Sequence, residues 1–355
     1  MQNIIKILDC TLRDGGIVTD FYYGKSIIQS VVDGLYRANV DYIELGYLDS
    51  EVKRTEDYVV YNHIEEMEGI IPKDRKGIHF VAMCDVGKFN LYEIRPRRTE
   101  YIDGVRIAFY KHQIEDAVHT AEVFHTNGYR IYIQPMVTGS YREDEFVAMC
   151  KRFLHLKPEG FAIVDSFGYM DIKMFSFYYA ILSELLAPET LMFFHSHNNT
   201  NQSLTVAQYI LSNVRDHDFV IDASMMGIGK CAGNLHTEHL VKAYNTTLGG
   251  SYNVDVILDT IAKYIAPLKE KFAWGPDFYY YMTAINYMHA NYATFFQECA
   301  RQDINCKQDK MPVDFVEFIQ TIPSEMKTTC KRKYVQEMYS KFIAGKKTSS
   351  NLLTG

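Results

Sequence analysis

The segment Phe193-Phe194-His195-Ser196-His197-Asn198-Asn199 joins an apolar run to two histidines and a polar turn. If residues 191–197 form a strand, side chains two positions apart project from the same face, so both imidazoles point the same way. Two neutral imidazoles in this arrangement are suited to share a divalent cation. Paired histidines on a strand are also found as buried, hydrogen-bonded groups, so the pair alone leaves both interpretations open.

A second informative segment lies near the N-terminus. Ile7-Leu8-Asp9-Cys10-Thr11-Leu12-Arg13-Asp14-Gly15-Gly16 passes from a strand-like run into a charged, glycine-rich turn. A carboxylate from Asp14 would complete a site of two imidazoles and one acid, with room for an amide. Such a donor set leaves coordination positions open and acts as a Lewis acid. We therefore expect Asp14 to be the third metal ligand.

Outward from these two segments, strand-like runs recur along the first 223 residues, with helical stretches such as residues 114–124 between them. The predicted strands are residues 4–9, 42–46, 78–83, 105–109, 129–134, 161–165, 191–195 and 219–223. Eight alternating strands and helices in about 250 residues are typical of a (β/α)8 TIM barrel. A doubly wound open sheet is the alternative.

The barrel is favoured by where the chemically informative residues lie. They follow or end predicted strands, and the carboxyl ends of barrel strands form one rim where active sites are built. These residues are Asp14, Glu44, Asp165, His195 and His197.

The domain organisation follows from length and composition. A chain of 355 residues exceeds one ordinary core, and the sequence becomes rich in helix-spaced aromatic residues and Met after Gly249-Gly250. We predict a catalytic barrel in residues 1–250, a helical C-terminal domain in residues 251–345 and a flexible tail in residues 346–355.

Composition argues against several other classes of protein. The net charge is -7 and Lys and Arg are scattered, so no basic stripe indicates nucleic acid as a partner. The seven cysteines, including Cys306, form no CxxC pair, which argues against a disulfide framework or zinc ribbon. No apolar run approaches the ~20 residues of a membrane span, and a predicted strand begins too early for a signal peptide. We expect a soluble cytoplasmic protein without a membrane partner.

Three segments together resemble the signature segments of one superfamily. Thr11-Leu12-Arg13-Asp14-Gly15-Gly16, His195-Ser196-His197-Asn198-Asn199 and Gly227-Ile228-Gly229-Lys230-Cys231-Ala232-Gly233-Asn234 are similar, in order and approximate spacing, to those of the metal-dependent aldolase and Claisen-condensing TIM barrels. The resemblance to this HMG-CoA lyase-like superfamily covers residues 1–250. The HxHNN segment and the helical extension make the 4-hydroxy-2-oxovalerate aldolase branch the nearest.

The resemblance implies a divalent-metal-dependent carbon-carbon lyase. It would cleave or form a 4-hydroxy-2-oxo acid through a metal-bound pyruvate enolate, with a small 2-oxo acid and an aldehyde as its partners. Asp14, His195 and His197 would bind Mn2+ or Mg2+, with Asn234 as a further ligand, and Zn2+ or Co2+ would suit the same donors. Arg13 would face the enolate oxygen, with a structural ion pair as its alternative role.

Further residues carry roles that the resemblance implies less directly. Glu44 resembles an acid that assists proton transfer or orients Arg13, and it is equally consistent with an ion pair that fills the barrel. Ser166, after the sixth strand, is a candidate donor to the substrate carboxylate.

The sequence departs from the aldolases at one position. The aldolases carry a catalytic His three residues after the metal-binding Asp, and here that position is Ile17. His289, with Tyr292 in the same segment, is a candidate for the missing base if the C-terminal helices fold over the barrel. A packing role in those helices is the alternative.

Two other functions compete with the aldolase. A Claisen-type acyltransferase would condense acetyl-CoA with a 2-oxo acid, as isopropylmalate and citramalate synthases do, but no second α/β domain follows the barrel. The second competing function is that of a metal-binding scaffold without catalytic activity. In some relatives the C-terminal extension docks an acylating aldehyde dehydrogenase, so that enzyme and a second copy of this chain are the protein partners we consider.

Overall fold

The computed structural model describes residues 4–52, 54–304 and 313–353. It divides into two compact units, Met1–Gly275 and Pro276–Gly355. Cys306 and the last two residues of the predicted tail lie outside the described residues. The described cysteines are all free thiols, and no helix in the described part of the chain is long and apolar enough to cross a membrane.

The first unit is built on a closed parallel sheet. Its strands are β1 Ile5–Asp9, β2 Tyr42–Leu48, β3 Val60–Tyr61, β4 His79–Asp85, β5 Gly104–Phe109, β6 Arg130–Pro135, β7 Gly160–Asp165, β8 Leu191–Ser196 and β9 Phe219–Ala223. β1 pairs in parallel with both β2 and β9, which closes eight strands into a barrel, and the short β3 adds to the end of β2. This confirms the predicted TIM barrel.

Helices surround the barrel, and each contributes buried apolar side chains to the core that it shares with the strands. They are α1 Thr11–Val18, α2 Lys25–Arg37, α3 Ile114–Thr126, α4 Glu143–Phe153, α5 Ile172–Leu185, α6 Ser203–Asn213, α7 Thr237–Leu248 and α8 Val254–Thr260. In α2, for example, the buried residues Ile28, Val31, Val32 and Leu35 recur at the three- and four-residue spacing of one helix face.

Alternation along the strands decides which side chains reach the barrel interior. Ile7 and Ile43 belong to the core that includes the helices, whereas their neighbours Leu8 and Tyr42 belong to a separate cluster inside the barrel. The same period of two turns polar residues inward near the carboxyl ends of the strands. These inward residues are Glu44, Arg106, His195 and Asp222.

The second unit is helical, as predicted for the C-terminal region. Its helices are α9 Phe278–Ala284, α10 Asn291–Ile304, α11 Val313–Thr321, α12 Ser324–Lys327 and α13 Arg332–Leu353. They enclose their own apolar cluster, which includes Met282, Phe296, Phe318 and Ile319.

Candidate metal centre

The three predicted metal ligands converge at the carboxyl-end rim of the barrel. Asp14 lies on α1 directly after β1, His195 lies near the end of β8, and His197 follows that strand. One ligand atom from each of the three lies within 4.8 Å of the others. The two imidazole rings are nearly perpendicular, with centroids 5.3 Å apart. Residues separated by some 180 positions are thus brought together by closure of the sheet.

The donor atoms present fit a divalent cation. In the described structure, His197 Nδ1 and Asn234 Oδ1 are buried without a hydrogen-bond partner. Buried polar atoms are seldom left unpaired, so these two acceptors indicate a site for a ligand. Asn234 also donates from Nδ2 to Asp14 Oδ2 at 2.7 Å, which holds its amide against the carboxylate. Two imidazoles, a carboxylate and an amide form a donor set that accepts several divalent ions.

The glycine-rich loop, residues 227–234, packs closely against two of the candidate ligands, Asp14 and Asn234. A Cβ atom at Gly229 would lie 2.4 Å from both Asp14 Oδ2 and Asn234 Nδ2. His197 and Asn234 are joined by an isolated β-bridge, so the loop is registered against the end of β8. Glycine at position 229 therefore allows the amide and the carboxylate to meet.

Burial and neighbouring charge keep His197 neutral and Asp14 ionised at neutral pH. Burial lowers the pKa of His197 to about 3, against the opposing effect of Asp14, so its imidazole is neutral. Burial alone would raise the pKa of Asp14, but Arg13 and the two histidines hold it below its usual range. A neutral imidazole and an ionised carboxylate are the forms that bind metal ions.

A chain of buried charged contacts links the ligands through the barrel interior. Arg13 Nη1 donates to Asp14 Oδ1 at 2.6 Å, and Arg13 Nε donates to Glu44 Oε2 at 2.7 Å. Arg106 donates to the same Glu44 oxygen at 3.0 Å and also contacts Asp222. We call this set the inner polar network; its members are Arg13, Asp14, Glu44, Arg106, His195 and Asp222.

Asp222 fixes the orientation of one imidazole. His195 Nδ1 lies 3.0 Å from Asp222 Oδ2. Arg106, followed by His195, lowers the pKa of Asp222 despite the opposing effect of burial, so this carboxylate only accepts hydrogen bonds. A proton on His195 Nδ1 would satisfy this carboxylate and leave Nε2 as the ligand atom, an arrangement common for metal-binding histidines.

Sequence reasoning missed Arg106 and Asp222. Both stand in apolar strands at positions that alternation turns inward, and Arg106 is completely buried. A charged residue at an inward position of a barrel strand was the available signal. Gln134 was missed as well; its Oε1 accepts from Arg106 at 3.3 Å.

Glu44 and Ser166 occupy different settings. Glu44 is fully buried and accepts from both Arg13 and Arg106 through one oxygen, so it braces the Arg13 guanidinium. Ser166 is half-buried after β7, and its hydroxyl accepts from the backbone N–H of Val137 at 2.8 Å.

His289 and Tyr292 belong to the helical unit. Tyr292 is fully buried in the apolar cluster there, and its hydroxyl donates to the carbonyl of Met326 at 3.0 Å. His289 Nδ1 accepts from the backbone N–H of Asn291 at 3.1 Å. Their catalytic role stays a prediction, and these contacts by themselves favour packing and turn formation.

A cavity of about 240 Å3, which we call the side cavity, lies beside β2 and β4. Ile17 lines it and is 37% exposed, while Tyr47 connects it to the inner polar network, since the Arg13 guanidinium carbon lies 5.9 Å from the Tyr47 ring centre. The other lining residues are Phe21, Leu48, Asp49, Val52, Arg54, Val60, Asp85 and Lys88.

Comparison with known proteins gives a consistent set of similarities. A family model described as HMGL-like matches residues 4–264. Oxaloacetate decarboxylase of Mycobacterium tuberculosis is 24% identical over 246 residues, which cover 67% of this chain and 69% of that protein. 4-Hydroxy-2-oxovalerate aldolase 2 of Rhodococcus opacus is 24% identical over 281 residues, covering 76% and 77%. Among solved structures, HMG-CoA lyase from Brucella melitensis matches with a TM-score of 0.60 at 12% identity, covering 76% of this chain and all of that one.

Proposed function

Because the chain belongs to the HMGL-like family, we propose that it is a divalent-metal-dependent carbon-carbon lyase that cleaves or forms a 4-hydroxy-2-oxo acid. The observation that carries this proposal is the convergence of Asp14, His195 and His197 within 4.8 Å, with Arg13 hydrogen-bonded to Asp14. The named aldolase relatives support the substrate class.

The chain would hold the ion with Asp14, His195, His197 and Asn234. When bound, Mn2+ or Mg2+ would supply Lewis-acid polarisation of the 2-oxo group. Asp222 would orient His195, and the fully buried Glu44 would hold the Arg13 guanidinium in position beside the reacting carbonyl.

Arg13 is the residue placed to meet developing negative charge. Its Nε and Nη1 are committed to Glu44 and Asp14, and its Nη2 is buried without a partner among the described residues. A buried guanidinium N–H left free beside a candidate metal site suits an oxygen that becomes an enolate. Glu44 and Asp14 raise the pKa of Arg13 against the opposing effect of burial, so its charge is retained.

Exchange of the methyl protons of pyruvate with D2O tests this proposal. With Mg2+ present, the protein should catalyse exchange measurable by proton NMR, because formation of the enolate labilises those protons. Arg13→Ala should retain metal content but lose exchange by about 100-fold or more, as expected when a donor to an oxyanion is removed. Arg98→Ala, at a solvent-exposed ion pair, is the matched control.

The metal assignment has its own measurement. Asp14→Asn should abolish Mn2+ binding in titration calorimetry, whereas Asp33→Asn on the exposed surface of α2 should bind as the unsubstituted protein does. Full binding by Asp14→Asn would overturn the ligand set. Absence of exchange with every 2-oxo acid tried would overturn the enolate chemistry.

Decarboxylation of a 2-oxo diacid is a second candidate. It is favoured by the similarity to the M. tuberculosis oxaloacetate decarboxylase. Both reactions would form the same enolate, but loss of CO2 needs no base to take a hydroxyl proton. Parallel assays of oxaloacetate and of 4-hydroxy-2-oxopentanoate separate the two.

A further inference from the structure

The geometry of the side cavity points to Asp85 as the proton acceptor for the substrate's 4-hydroxyl group, with the cavity holding the aldehyde part of the substrate. We infer this role on the basis of the proposed function, because an aldol cleavage needs a base that a decarboxylation does not. Neither the metal ligands nor Arg13 can serve as that base, since all are committed to charge partners or to the ion.

Among the described residues, Asp85 is a carboxylate near the site whose side chain has no hydrogen-bond or ion-pair partner. Its side chain accepts no hydrogen bond and forms no ion pair with any residue in the described part of the chain. By contrast, Asp14 and Glu44 pair with Arg13, and Asp222 pairs with Arg106. Asp165 accepts from the backbone N–H groups of Tyr169 and Met170. A half-buried carboxylate without a partner is available for proton transfer.

The position of Asp85 suits a base directed at a bound substrate. It ends β4, so it stands on the same rim as the metal centre, and it lines the side cavity with Ile17 and Tyr47. Tyr47 lines the same cavity and lies against Arg13, whose guanidinium carbon is 5.9 Å from the Tyr47 ring centre, so the cavity adjoins the residue proposed to face the enolate.

The other lining residues do not offer a free base. Asp49 accepts from the backbone N–H of Glu51 at 2.8 Å, and Lys88 pairs with Glu51. Burial raises the pKa of the Tyr47 phenol well above its usual range, so Tyr47 is a donor at neutral pH. Ile17 contributes an apolar wall, which suits the carbon chain of a small aldehyde.

The step balances as a retro-aldol cleavage. The 4-hydroxyl proton moves to the Asp85 carboxylate, and the electrons of that O–H bond form the aldehyde C=O. The C3–C4 bond breaks, and its electrons form the enolate, whose negative oxygen faces Arg13 Nη2. A proton from water adds at C3 to give the 2-oxo acid, and Asp85 returns its proton to solvent. The reverse sequence forms the C–C bond.

The charged surroundings of Asp85 set the expected pH dependence. Burial raises the pKa of Asp85, Arg13, Lys230 and Lys88 oppose that rise, and Asp49 adds to it. The base must be ionised, so the acid limb of kcat/KM for cleavage should lie above the ordinary aspartate value of 3.8.

Asp85→Asn, assayed on two substrates with Mg2+-loaded protein, tests the inference. Cleavage of 4-hydroxy-2-oxopentanoate should fall at least about 100-fold, the scale of general-base catalysis. Decarboxylation of oxaloacetate, corrected for free metal, should stay within about threefold because it transfers no hydroxyl proton. Asp85→Glu should recover part of the cleavage. Asp33→Asn, on the exposed surface of α2, should leave both rates and the metal content within about threefold.

The outcomes separate this inference from the proposed function. Cleavage by Asp85→Asn within threefold of the unsubstituted protein, or an equal loss of both reactions, would overturn the role of Asp85. A protein that decarboxylates oxaloacetate but cleaves no hydroxy acid would also overturn it, while leaving the enolate chemistry intact. A protein with neither reaction and no exchange of pyruvate protons would overturn the proposed function itself.

Discussion

The inner polar network and the side cavity are neighbours, but their carboxylates differ in whether they are paired with a positively charged side chain. Inside the barrel, the carboxylates of Asp14, Glu44 and Asp222 each contact a guanidinium and are at most 2% exposed. In the side cavity, Asp85 is half-buried with no partner among the described residues. Paired charges fix geometry, since breaking them leaves an uncompensated ion, whereas an unpaired charge remains free to react.

The largest difference between the two regions should appear in the free energy of unfolding, when one positively charged side chain is removed from each. Arg106→Met would leave Glu44 and Asp222 buried without their shared cation, and we expect a loss of about 3–5 kcal/mol in the free energy of unfolding. Urea denaturation measures this directly.

Lys88→Met provides the matched substitution in the side cavity. The Lys88 side chain is 51% exposed and its ammonium pairs with the exposed Glu51 at 3.2 Å, so the expected change is under about 0.5 kcal/mol. Equal losses for the two variants would contradict the distinction between the regions.

A smaller contrast should appear in metal affinity. Asp222→Asn replaces the charged carboxylate beside His195 Nδ1 with a neutral amide, and the affinity for Mn2+ should fall about 10–100-fold, the usual effect of losing such a partner. Asp85→Asn should change that affinity by less than about threefold. Calorimetric titration of both variants tests the pair, and unchanged binding by Asp222→Asn would show that His195 needs no such support.

The smallest effect concerns stability and pH. Burial raises the pKa of Asp85 in the folded protein above 3.8, so the folded state holds that proton more tightly than the unfolded chain. Its contribution therefore becomes destabilising as pH rises through the interval between the two pKa values.

Asp85→Asn should remove this cost and raise the free energy of unfolding at pH 8 by less than about 1 kcal/mol. The difference between the two proteins should vanish below the unfolded pKa of 3.8. Denaturation at pH 8 and at acid pH checks the sign, and a destabilised variant at pH 8 would indicate that Asp85 has a structural partner.

Local patterns in the sequence predicted the barrel and the convergence of Asp14, His195 and His197. Strand alternation and the two-residue spacing of His195 and His197 are short-range signals, and Asp14 was placed by its position after the first strand. The network depends on contacts between distant residues. Glu44 and Arg106 are 62 residues apart, and Arg106 and Asp222 are 116 apart, so their pairing is decided only when the sheet closes.

The lining of the side cavity could not be predicted from local sequence either. The resemblance to the aldolases predicts a base at position 17, where this chain has Ile17, but nothing near Ile17 in the chain indicates a substitute. Asp85 reaches the cavity because β4 lies next to β2, a relation of strand order rather than of sequence distance. The predicted roles of His289 and Tyr292 required knowing how the C-terminal helices pack. The spacing of apolar residues along a helix does not give that packing.

The inner polar network also has a consequence for the order in which ligands arrive. Its three carboxylates outnumber its two guanidinium groups, so the network carries one surplus negative charge, which disfavours the approach of an organic anion. With a divalent cation bound to Asp14, His195 and His197, the same count would give one positive charge, which a single carboxylate would neutralise. Electroneutrality thus favours a compulsory sequence, with the cation first and the 2-oxo acid second.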